Sequence, residues 1–198
     1  MRRIGQWQLP DPPFSFSGLG ARNGGNEGAG RAVNFYGEFT QKIDGKGRVS
    51  IPADFRRVLE RGDPDWCEGK RPRVRIVYGR PGAKFLECYT IDAITEVEAR
   101  IRTLPEHSKA RRRLEIVMIT GSDTCDVDSD GRIVLAPKLR DRIGLAEGEA
   151  VFAGTLDTFQ IWTPADFEAD KAALLAELED DLPDDADILS LLPPKTVA

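Results

Sequence analysis

Apolar positions begin to recur at Phe35. FYGEFTQKID reads as a strand, and Gly45 and Gly47 interrupt it in a way that predicts a tight turn. RVSIP at 48–52 predicts a short strand. ADFRRVLERG behind it predicts a helix with Pro52 in the opening turn and Gly62 near the end, since proline's fixed φ suits a helix start and glycine a helix stop. The polar run DPDWCEGKRPR predicts a loop. VRIVY at 74–78 and FLECY at 85–89 predict two further strands, parted by a Gly-Arg-Pro-Gly turn. Ile91, Ile94, Val97 and Ile101 then return at helical spacing, and a second helix is predicted over 111–118. Residues 1–33 show no such period and predict a disordered extension. Their GLGARNGG stretch superficially resembles a dinucleotide-binding loop, but neither a strand before it nor a strong helix after it supports that reading.

The same series returns in the second half. Asp44-Gly-Lys-Gly-Arg48 matches Asp128-Ser-Asp-Gly-Arg132 at an offset of 84 residues, and the match continues through Ile51/Leu135, Phe55/Leu139 and Arg56/Arg140. Leu86-x-Cys88-Tyr89 matches Phe159-x-Ile161-Trp162 at an offset of 73, so the first half carries an insertion of 11 residues, placed in the polar segment 63–73. Each half runs strand, DxxxR turn, strand, short helix, two strands, longer helix. A unit of about 50 residues is too small to bury much of its own apolar surface. The two copies are therefore expected to share one core, each supplying hairpins to a common barrel, with the two turns related by symmetry.

Charge refines this picture. The chain has 198 residues and a net charge of −5, which alone argues against a polyanionic partner. Residues 164–198 carry ten acids against Lys171 and Lys195, a local charge of −8 that leaves residues 1–163 at +3. The body is mildly basic and the tail holds the acidity. No stretch reaches the roughly 18–20 apolar residues of a membrane helix, so a soluble, cytoplasmic protein is expected. Cys67, Cys88 and Cys125 are far apart and form no CxxC, and His107 is the only histidine. Neither a disulfide framework, a metal site nor a nucleophile–base–orienter set is therefore expected, and no cofactor or enzyme activity is indicated.

The two DxxxR turns are the candidate chemistry. Glycine permits positive φ and close approach, aspartate can bond back to nearby amides, and the arginine starts a strand, which fixes its position. A guanidinium held that way suits bidentate recognition of phosphate or a guanine edge. Such an Asp/Arg pair can also simply clip its own turn; that an arginine follows both turns favours the binding role. Lys42, Lys46, Arg48, Arg56, Arg57 and Arg61 surround the first turn, whereas Asp123, Asp126 and Asp130 surround the second.

FYGEFTQKIDGKGRVSIPADFR resembles the opening of MraZ proteins, and SDTCDVDSDGRIVLAPKLRDRIGL followed by FQIWTPADFE resembles their second half. The resemblance runs from about Phe35 to about Glu168. It implies an α+β, mainly β fold of two tandem swapped-hairpin AbrB-like units, at 34–120 and 121–180, sharing a pseudo-two-fold barrel with peripheral helices, ahead of an acidic tail at 181–198. It further implies a multimeric, ring-forming, nucleoid-associated repressor of the cell division and cell wall gene cluster, including its own gene, binding short direct repeats in promoter DNA. By resemblance the DNA contacts fall on Arg48 with Lys46 beside it and on Arg132; Lys42 and Arg56, from the same basic neighbourhood, complete the expected set. Ser129 and Asp130 depart from the basic or amide residues usual in the second motif, and Ala136 replaces a usual proline. The rival expectations are an oligomeric protein-interaction scaffold and an antitoxin or growth-phase regulator of the wider AbrB group.

Overall fold

The computed structural model describes residues 34–181 and 187–193. The extension expected to be disordered, 1–33, lies outside them, as does much of the expected acidic tail. The first half supplies β1 (Glu38–Ile43), β2 (Arg48–Ser50), α1 (Ala53–Arg61), β3 (Arg73–Val77), β4 (Phe85–Tyr89), α2 (Ile91–Arg102) and α3 (Lys109–Leu114). The second supplies β5 (Ser122–Asp126), β6 (Arg132–Val134), α4 (Pro137–Ile143), β7 (Gly148–Thr155), β8 (Thr158–Trp162) and α5 (Pro164–Asp181).

All eight strands form one antiparallel sheet in the order β5-β3-β4-β8-β7-β1-β2-β6. Its edges nearly meet, with Cys125 Sγ on β5 lying 3.9 Å from the Val134 carbonyl on β6. The sheet is thus an almost closed barrel of the expected α+β, mainly β class. Each hairpin bonds to a strand of the other half, β1 on β7 and β5 on β3, so the hairpins are swapped. The registers expose the pseudo-two-fold. Val49 pairs with Ile133, flanked by Arg48↔Val134 and Ser50↔Arg132, so the offset of 84 maps this strand pair onto itself. Glu87 pairs with Gln160, flanked by Leu86↔Ile161 and Cys88↔Phe159, and the offset of 73 does the same there.

Local chemistry explains the elements. Pro52 caps α1 and Gly62 closes it by donating its N–H to the Val58 carbonyl. The helix buries Phe55, Val58 and Leu59, spaced to share one face. Phe55 sits among Phe35, Phe39 and Phe159 at ring separations of 5.1–5.3 Å, the aromatic centre of the barrel core. The insertion between α1 and β3 is tied down by Asp63. This buried carboxylate accepts from the Arg73 amide at 3.0 Å and from its guanidinium at 2.9 and 2.6 Å.

Two helical layers cover the outside. Ile94, Ile101 and Met118 pack on Val77 and Tyr89; on the other half, Phe167 of α5 packs against Trp162 beside Val151 and Ala153. The helix predicted over 111–118 differs in kind. It starts at Lys109 and widens into a π-helical segment, Glu115–Thr120, where the Val117 carbonyl lies against the backbones of Gly79 and Gly121. Among the described residues no helix is long and apolar enough to cross a membrane.

Candidate nucleic-acid interface

The two DxxxR turns are built alike, bond for bond. In the first, Asp44 accepts from the Lys46 and Arg48 amides at 3.0 and 2.9 Å and from Arg48 Nε at 2.7 Å. In the second, Asp128 accepts from the Asp130 and Arg132 amides, each at 2.9 Å. Gly47 and Gly131, with φ of +80° and +76°, let each turn close. The turns also lock to each other across the two-fold: the Leu135 amide donates to the Gly47 carbonyl at 2.8 Å and the Ile51 amide to the Gly131 carbonyl at 2.9 Å. Arg48 is thereby mounted on a strand paired on both sides, and Arg132 on the edge strand bonded to it.

Alternation then decides where they point. Val49 and Ile133 face the core, so Arg48, Ser50, Arg132 and Val134 face outward. Arg48 and Arg132 are diagonal neighbours on this face, a relation that places such residues roughly 7–8 Å apart. Neither guanidinium is shielded: the Arg48 side chain is 47% exposed and that of Arg132 38%. Both line one concavity of about 540 Å³, together with Lys42, Asp44, Ser50 and Glu149.

The arginines differ in their partners. Among the described residues Arg48 pairs with Asp44 alone, through Nη2 at 2.7 Å as well as Nε. Arg132 lies 3.4 Å from Asp128 through Nε and also pairs with Asp130 through Nη2. The amide of the following arginine, ahead of its guanidinium, holds the Asp44 carboxyl below the usual carboxylate range; at Asp128 the arginine amide again acts most strongly, with the Asp130 amide behind it. Lys42 and Lys46 are exposed and make no ion pair among the described residues.

Of the five residues singled out from sequence, Lys42, Arg48 and Arg132 meet at this outward face, and Lys46 is exposed on the turn that leads into it. Arg56 is placed differently. It is half-buried and packs on Gly131 of the second turn, where a side chain would collide with its guanidinium, and its Nε is buried without a hydrogen-bond partner among the described residues. Arg140 does the same at Gly47, donating to the carbonyls of Leu135 at 3.1 Å and Ala146 at 2.9 Å. The buttressing role of this pair was missed from sequence, although the Arg56/Arg140 match was its signal. Ser50 and Glu149 were missed too, since only the strand registers bring them to the concavity.

Comparison with known proteins gives the family. A family model described as "MraZ protein, putative antitoxin-like" matches residues 118–187. The chain is 50% identical over 161 residues to the Transcriptional regulator MraZ of Ruegeria pomeroyi, covering 81% of this chain and 96% of that protein. The protein of the same name from a second Ruegeria species is 50% identical over 158 residues, covering 80% and 94%. That of Beijerinckia indica is 34% identical over 135 residues, covering 67% and 76%. With half of all aligned positions identical over nearly the whole length of the two Ruegeria proteins, the chain belongs to the MraZ family of transcriptional regulators.

Proposed function

We propose that the chain is a sequence-specific DNA-binding repressor that acts on the promoter of the cell division and cell wall gene cluster, its own gene included. It binds short direct repeats there as a ring of copies, in the cytoplasm and on the nucleoid. The carrying observation is the outward pair Arg48 and Arg132 on one rigid strand pair, with Lys42 and Lys46, which make no ion pair among the described residues, beside the first. Cations fixed in this way neutralise phosphate and can reach a base edge without first being ordered. Arg48, Lys46, Lys42 and Arg132 make the contacts; Arg56 serves by holding the second turn in shape.

One chain offers too small a surface for tight binding, and linking copies over repeated boxes raises apparent affinity by roughly 10² to 10⁴ where the spacing matches. A gel shift on the repeat-containing promoter tests the reading. Arg48→Ala is expected to lose about 1–3 kcal/mol per contact, with binding that weakens steeply as salt rises. Binding untouched by Arg48→Ala, or indifferent to salt, would instead favour a protein-interaction scaffold.

A further inference from the structure

We infer that the two turns are functionally unequal: the Lys42/Lys46/Arg48 turn grips the duplex while Asp126 and Asp130 withhold Arg132, so a single chain lies on DNA in one polarity. The inference rests on the DNA-binding reading above and adds a direction to it.

The barrel compares the two turns internally. At the offset of 84, Asp44 and Arg48 recur as Asp128 and Arg132, but Lys42 becomes Asp126 and Lys46 becomes Asp130. Backbone geometry is preserved through both turns, so equivalent positions occupy equivalent places. All four exchanged residues are exposed. The set 42, 44, 46 and 48 therefore sums to +2 and the set 126, 128, 130 and 132 to −2.

The consequence for Arg132 is direct. Both guanidiniums are held by the aspartate of their own turn, but the Nη2 of Arg132 is held in addition by a second carboxylate, that of Asp130. A phosphate must displace that carboxylate or approach alongside it, and like charges at such range repel. On the first turn the same position carries Lys46, which adds a donor and a positive charge. Two identical turns about a two-fold would treat both strands of a duplex alike and favour a palindromic element. Charge reversal at two exposed positions removes that equivalence. The preferred element of one chain then has a head and a tail, which repeats in direct orientation preserve and inverted repeats do not.

The test uses the full chain and two measurements. Anisotropy on a short fluorescein-labelled duplex of arbitrary sequence, across a salt series, compares wild type with Asp130→Asn, Asp126→Lys/Asp130→Lys and Arg48→Ala. Site selection from a random duplex pool compares wild type with the double lysine variant. Asp130 and Asp126 are surface residues whose backbone bonds do not depend on their side chains, and a thermal melt of each variant serves as the control for folding. The double lysine variant is expected to bind roughly three- to tenfold tighter, with a log–log salt slope steeper by about 0.9 for each new phosphate contact. Asp130→Asn should tighten binding more modestly. Wild type should select an element without internal two-fold symmetry, and the lysine variant a more nearly palindromic one. Weaker or unchanged binding by Asp130→Asn, as when its carboxylate reads a cytosine amino group, overturns the inference while leaving the DNA reading intact. So does a palindromic element selected by wild type. Wild-type binding by Arg48→Ala fells both, and is distinguishable because it concerns the first turn alone.

Discussion

Asp44 and Asp128 each serve two masters, the turn amides and the arginine that follows. Their carboxyls accept the same pair of backbone N–H groups, and both titrate below the ordinary aspartate range for that reason. A carboxyl whose folded-state pKa lies below its unfolded value of about 3.9 stabilises the fold above that value, and the contribution disappears as pH falls through the lower folded value. Melting temperature should therefore hold as pH drops toward about 5 and decline below about 4. Asn at both positions keeps the amide bonds through its carbonyl oxygen but removes the charge, so Asp44→Asn/Asp128→Asn should show a shallower acid limb. An acid limb identical to wild type would refute the linkage. Thiol labelling at neutral pH gives a second residue-scale test. Cys67 is exposed, Cys88 is buried, and Cys125 is pushed up to about 11 by burial, with Asp123 and Asp126 adding to the effect. Iodoacetamide is expected to modify Cys67 first in the native protein, and mass mapping that finds Cys125 labelled as fast would contradict this packing.

At the scale of elements, a hairpin turn and a helix end depend on glycine for two separable reasons. Gly47 adopts φ of +80°, and a methyl there would run into the Leu135 carbonyl, which is backbone and cannot swing aside. Gly144, which ends α4 at φ of +68°, has no heavy atom within 4 Å of where its Cβ would lie. In urea denaturation Gly144→Ala should cost only the left-handed strain, about 1–2 kcal/mol, whereas Gly47→Ala should cost that and the collision as well. Equal losses would show that strain alone governs both. Phe55→Ala, in the aromatic centre, should cost about 3–5 kcal/mol. Most of these elements were legible in the sequence because the repeat checks itself: a DxxxR turn, a Pro-led helix and a strand pair seen twice are hard to misplace. The Arg48 and Arg132 positions followed from the same repeat. Register was not legible, because which strands pair is decided by the barrel as a whole; hence Glu149 and Ser50 went unseen. The packing of Arg56 went unseen too, since its charge suggested solvent while Gly131 left a hole that its guanidinium fills. The π-helical widening has no local sequence mark, because it takes place against Gly79, a residue of another turn.

The whole molecule is two-fold in its barrel but not in its coat, and that bears on the proposed assembly. On the first half, α3 presents Lys109, Arg112 and Arg113 without ion pairs among the described residues, beside exposed Ile116 and Ile119. On the second, α5 presents Glu168, Asp170 and Glu177 beside exposed Leu174 and Leu175. Each surface joins apolar groups to charge, and the two are opposite in sign. In the proposed assembly the acidic helix of one copy would meet the basic helix of the next. Such a contact is head-to-tail rather than self-complementary, and head-to-tail contacts close into rings when the rotation per copy allows it. Because surface charges are screened with a Debye length near 10 Å at 0.1 M salt, the assembly should shrink in mass as salt rises, less so where the leucines and isoleucines dominate. Sedimentation velocity should show Arg112→Glu/Arg113→Glu as a smaller species than wild type, and Glu168→Lys/Asp170→Lys likewise. Mixing the two variants should restore association, because reversed acids now face reversed bases across one junction. The open ends of such a pair carry the unmodified acidic helix and the unmodified basic helix, which match, so the pairs should go on to join in alternation, whereas each variant alone should stay small. A mass unchanged by either variant would remove this junction, and a loss of DNA affinity without any change in mass would reassign Arg112 and Arg113 to the duplex.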